Sequence, residues 1–119
     1  MTIEELYRKL GGDFQSVCSR LPGRRFVERF LARYLDDDSV QALLAAVNAG
    51  DPEESYRYTM ALKGVAGNLG LADLEKAAAK LAQALRDGRI TPEVTRLAKT
   101  VEGYHMAAVK TIQLYLADQ

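Results

Sequence analysis

Residues 59–70 read TMALKGVAGNLG. Just upstream, Asp51-Pro52-Glu53-Glu54 has the form of a helix start. Asp51 is the N-cap, Pro52 the first helical residue, and Glu54 stands three after the cap. Nothing interrupts the run before Gly70, so the pattern predicts one helix to about Leu69, closed by Gly70. On a wheel of about 100° per residue centred on Leu62, Tyr58, Val65, Ala66 and Leu69 fall within about 60° of the centre. They are the expected core stripe. Met60, Gly64 and Gly67 fall near the opposite pole, flanked by Tyr56, Arg57 and Lys63. Each glycine inside a helix costs about 0.8–1 kcal/mol relative to alanine. Two together take about 2 kcal/mol from a total stability of roughly 5–15 kcal/mol. A face stripped of side chains lets another backbone come close. Two readings follow. The strip is a docking site for a second protein, or it is a tight crossing with this chain's own N-terminal segments.

The rest of the chain also reads as helices. No period-two alternation occurs, and Ala, Leu, Glu, Lys and Arg dominate. Thr2 with Glu5 three places on forms a capping box for a helix over 2–10, stopped by Gly11 and Gly12. Asp13 caps a short helix to about Arg20, ended by Leu21-Pro22-Gly23. Phe26, Phe30, Leu31 and Tyr34 have helical spacing over 24–35. Asp36 to Asp38 make a turn that caps a helix from Ser39 to Asn48. After Gly70, Leu71, Leu74, Ala78, Leu81 and Leu85 mark a helix ended by Gly88. Thr91-Pro92-Glu93 opens a long last helix to about Leu116. Its expected stripe is Leu97, Val101, Tyr104, Ala108, Thr111 and Tyr115. Three long helices joined by short loops should pack antiparallel. The segment 24–48, broken at 36–38, supplies the fourth. The expected fold is all-α: one antiparallel four-helix bundle domain over 1–119, with short extra N-terminal helices.

Composition narrows the function. The chain has 119 residues, 48% of them hydrophobic and 27% charged, which is the soluble globular range. Lys+Arg and Asp+Glu are both 16. This balance gives no basic excess for nucleic acid or a membrane surface. No apolar run reaches the roughly 18 residues of a membrane span, and the acidic N-terminus is no signal peptide. The single Cys18 has no partner for a disulfide and suits a reducing, cytoplasmic setting. Met1 and the polar Ala-Asp-Gln tail read as a standalone protein. No cofactor or metal motif is present. One histidine cannot build a helical di-metal site, and Asp36-Asp37-Asp38 reads as a capped, solvated turn before a cation site.

The segment Met60-Ala61-Leu62-Lys63-Gly64-Val65-Ala66-Gly67-Asn68-Leu69-Gly70 resembles the characteristic motif of the histidine-containing phosphotransfer (HPt) domain, His-x-Leu-Lys-Gly-x-x-x-Asn-Leu-Gly. It differs only at the first position. The run from Leu71 to Leu74 also looks like the family, so the resemblance is expected to extend over the whole chain. It implies an antiparallel four-helix bundle that meets receiver domains of response regulators or hybrid histidine kinases. In the family the first motif residue is the histidine that carries the phosphoryl group between receiver aspartates. Here it is Met60, whose thioether has no nucleophilic nitrogen and offers only a weak acceptor sulfur. Lys63 keeps the family's lysine, and Gly64 keeps the small residue that lets a receiver approach. The resemblance thus implies a pseudo-phosphotransfer module, not an enzyme, with Tyr56, Arg57, Met60, Lys63, Gly64 and Gly67 as its partner-binding residues.

Two alternatives stay open. The chain is an active phosphotransfer protein if a native histidine belongs at position 60 or if His105 takes over. His105 lies at the edge of the last helix's stripe, on a different helix from the motif, and reads as a boundary histidine with a satisfied ring. Or the bundle is purely structural, and the glycine face is buried in a homodimer. The docking reading expects a monomer.

Overall fold

A computed structural model describes the whole chain, Met1–Gln119. It contains seven helices and no strand: α1 (Ile3–Lys9), α2 (Phe14–Cys18), α3 (Arg24–Tyr34), α4 (Ser39–Asn48), α5 (Pro52–Leu69), α6 (Ala72–Leu85) and α7 (Pro92–Ala117). Their ends follow local chemistry. The Thr2 hydroxyl accepts from the Glu5 amide and the Glu5 carboxylate from the Thr2 amide, completing the capping box. Asp13, Asp51 and Thr91 each cap the helix that follows. In the 36–38 turn the capping oxygen comes from Asp37, which accepts from the Ser39 amide at 2.8 Å. Asp38 occupies the N-cap position without a side-chain bond.

Helices α4, α5, α6 and α7 form the bundle. Each packs on its sequence neighbour, and α7 closes the ring against α4. Helix α3 is separated from α4 by the 36–38 turn and lies on α7 and α5. Helices α1 and α2 pack on each other, and α1 also lies along α7. The core of 27 buried residues draws on all seven helices, so the N-terminal pair is built into the same core as the bundle.

Two stripes differ from the sequence expectation. On α7 the buried line runs through Val101, His105, Ala108, Ile112 and Tyr115. Tyr104, expected inside, is 44% exposed, and Thr111 is half-buried. The cause is a partner on another helix. The Tyr34 hydroxyl of α3 pairs with Nδ1 of His105 at 2.6 Å, so the polar ring is satisfied in the core. On α5, Ser55 and Thr59 are buried beside Leu62, Ala66 and Leu69, whereas Tyr58 and Val65 are half-buried. The Ser55 hydroxyl donates to the Asp51 carbonyl (2.6 Å) and Thr59 to the Ser55 carbonyl (2.7 Å). Both are satisfied within their own helix, and their small size admits the neighbouring helices.

The joint between α5 and α6 positions the site. Gly70 ends α5 in the left-handed region (φ 72°). A β-carbon there would collide with Val17 and crowd the Tyr7 ring. The Tyr7 hydroxyl donates to the Leu69 carbonyl at 2.7 Å. The last three residues of the quoted motif, Asn68-Leu69-Gly70, thus include two that seat the N-terminal helices.

Candidate functional site

The six residues singled out from sequence all lie on α5, and the structure exposes them unequally. Met60 is 39% exposed. One turn on, Gly64 is exposed, and a β-carbon built on it meets no atom within 4 Å. The helix backbone is therefore open to an approaching surface from Met60 to Gly64. Tyr56 is half-buried, its ring packed against the core.

The two charges on this face differ. Arg57 is clamped by Glu54, with Nη2 at 2.6 Å and Nε at 2.8 Å from the same carboxylate oxygen, and its guanidinium lies 4.5 Å from the Tyr58 ring centroid. Its charge is largely compensated by its neighbours. Lys63 is half-buried and makes no ion pair, so it is the free cation of the face.

Gly67 stands apart from Gly64. A β-carbon there would come within 2.7 Å of Glu75 Oε2, and the Gly67 carbonyl accepts from Arg20 Nη2 at 2.9 Å. The two glycines expected on one bare strip thus split between the two readings of that strip. Gly64 is open to solvent, and Gly67 is covered by this chain's own side chains. Arg20 also satisfies a carbonyl in the last turn of α5, where a cation favours the helix dipole. Sequence reasoning missed Arg20, Glu75 and Glu54 as parts of this surface. Only the Glu54–Arg57 spacing of three was readable in advance.

An exposed helical glycine is not a docking mark by itself. Gly103, in the middle of α7, is equally bare. Gly103 even has an exposed methionine, Met106, and an exposed lysine, Lys99, within one turn, so what sets Gly64 apart is the motif it belongs to, one turn after Met60.

His105 lies elsewhere, on α7; the residue is 7% exposed and its Nδ1 is engaged by Tyr34. Burial holds its pKa below the ordinary 6.5, against the opposing charges of Asp37 and Glu102. It is a buried core histidine, where sequence placed it at the boundary. No group of His, Cys, Asp or Glu side chains is arranged to hold a metal ion. No helix is long and apolar enough to cross a membrane.

A family model described as Hpt domain matches residues 25–117. No curated protein and no solved structure matches the chain. The match begins within α3. Helices α1 and α2, which the motif resemblance was expected to include, lie outside it.

Proposed function

The chain belongs to the Hpt domain family of phosphorelay signalling modules, which interact with receiver domains and kinases, and on that premise we propose that it docks a receiver domain without carrying phosphate itself. The docking residues are Tyr56, Arg57, Met60, Lys63, Gly64 and Gly67 on the outward face of α5. One observation carries the reading: Met60 stands where the family motif has its histidine, one turn before the open backbone of Gly64. The surface that admits a receiver is kept, and the nitrogen that would take the phosphoryl group is replaced by a thioether.

Met60 and the ring of Tyr56 supply apolar contact, and Lys63 supplies a cation for the acidic pocket of a receiver. Gly67 contributes its small size once the Glu75 carboxylate swings aside, a low-cost movement for the end of a flexible side chain. His105 is not a substitute acceptor, because its ring is buried on another helix and bonded to Tyr34. In this role the protein competes with phosphate-carrying modules for the same receivers, in a cytoplasmic phosphorelay.

The test is a titration of a receiver panel against the wild type and Gly64→Gln, beside a phosphoryl-transfer assay. Saturable binding by the wild type, lost in Gly64→Gln with the fold intact by circular dichroism, is the expected result. Phosphohistidine on this chain after incubation with a phosphorylated receiver would overturn the non-transferring role.

A further inference from the structure

A cleft of about 370 Å³ opens between the segment 20–37 and the C-terminal half of α5. Its floor is apolar: Leu21, Phe30 and Val65 are each half-buried there, with Leu69 beneath them. Its walls carry Arg20, Arg33, Asp37 and Asn68. The volume lies at the lower end of the range of small-molecule sites, about 300–1,000 Å³, which also combine an apolar floor with a few polar groups.

The two arginines are the informative part. Neither makes an ion pair. Each is nevertheless held in place by a neutral partner. Arg20 Nη2 donates to the Gly67 carbonyl at 2.9 Å, and the Arg33 guanidinium sits 5.5 Å from the Phe30 ring centroid. A carbonyl and an aromatic face restrict a guanidinium without neutralising it. The cleft therefore holds two positioned guanidinium forks, neither in an ion pair. Asp37 is the opposing acid, and one of its oxygens is committed to the Ser39 amide. The formal balance of the lining is two positive charges against one negative, a net of one. That favours a monoanion over a doubly charged phosphate ester.

The geometry points to this cleft as a binding site for a small amphipathic carboxylate, its headgroup held between Arg20 and Arg33 and its apolar body on Leu21, Phe30 and Val65. A carboxylate matches the arginine fork and accepts two parallel hydrogen bonds from it. An apolar body of one or two rings covers surface that is left half wet in the free protein. Asn68 is placed to bond a polar substituent on the same ligand. The lining includes none of the six docking residues and touches them only through the Arg20 bond to the Gly67 carbonyl, and the probe below is read without a receiver.

The test uses the full chain and 2-naphthoate as probe, followed by two-dimensional amide NMR. Saturable shifts centred on Leu21, Phe30, Val65 and Asn68 are expected. Arg20→Gln and Arg33→Gln should each weaken binding by about tenfold, the typical worth of one charge-assisted contact. Both side chains are exposed, so the fold should survive either change. The uncharged 2-naphthamide should bind at least about tenfold more weakly, for the same lost charge. Arg96→Gln on α7, remote in sequence from the lining, should change nothing. Equal affinity for acid and amide, unchanged affinity in both arginine variants, shifts centred on another part of the surface, or no saturable binding at millimolar probe would each overturn the proposal.

Discussion

The Tyr34 hydroxyl lies 2.6 Å from Nδ1 of His105, joining α3 to α7 inside the core. This bond makes the only histidine a structural residue. Removing one partner should cost more than a surface contact. Tyr34→Phe leaves the ring nitrogen buried without a partner and is expected to destabilise the fold by about 1–3 kcal/mol. Urea denaturation at pH 7.5 measures it.

The same residue sets a pH dependence. Burial holds the folded pKa of His105 below its ordinary 6.5. The unfolded chain therefore binds the proton first, and stability rises with pH through that interval. His105 contributes no penalty above about pH 6.5, and its penalty grows as pH falls towards the folded value. Denaturation midpoints at pH 7.5, 6.5 and 5.5 should decline in the wild type. The decline should be shallower in His105→Leu; an identical slope would assign it to other groups.

Gly64 and Gly103 separate helix propensity from docking. Both occupy open helical positions, so Gly64→Ala and Gly103→Ala should each stabilise by about 1 kcal/mol. That raises Tm by about 3–6 °C for a chain of this size. Gly64→Gln should abolish receiver binding, and Gly103→Gln should leave it unchanged. Loss of binding in both variants would count against a face specific to α5.

Met60→His tests the docking geometry by gain of function. The imidazole nitrogen would attack the phosphorus of a receiver's acyl phosphate, and the aspartate carboxylate would leave as the P–O bond breaks. The variant is expected to acquire acid-labile phosphate from a phosphorylated receiver, and the wild type none. Failure in a variant that still binds the receiver would mean that position 60 does not face the donor.

Gly70→Ala should be strongly damaging. The left-handed backbone alone costs a β-carbon residue roughly 1–2 kcal/mol. The collision with Val17 adds to it, because that side chain is fully buried and cannot yield. Thermal melts should show a loss well above that of Leu69→Ile, a change of shape within the same core.

Much of this molecule is legible in its residues. The caps at Thr2, Asp13, Asp51 and Thr91, and the stops at Gly70 and Gly88, put α1, α2, α5, α6 and α7 close to where they lie. These signals are local, and short-range chemistry decides them. The differences arose where a polar side chain finds a partner that lets it be buried. His105 took the core position expected of Tyr104 because Tyr34, 71 residues away in sequence, supplies its bond. Ser55 and Thr59 entered the core because their hydroxyls turn back on their own helix. At the candidate site, the open backbone of Gly64 could be read from a wheel. The cover on Gly67 could not, since Arg20 reaches it from 47 residues upstream.

The seat of the N-terminal helices has a consequence for how the chain is made. Tyr7 and Val17 leave the ribosome early, but the joint they close, Leu69 and Gly70, follows some 50–60 residues later. Helix α1 also lies on α7, which is synthesised after the other six helices. Until then Ile3, Leu6 and Tyr7 have only the short α2 to pack on. A helix of seven residues is too short to persist alone in water. The α1–α2 segment should therefore settle on the bundle only after the helices that follow it are made, and a chaperone could hold it until then.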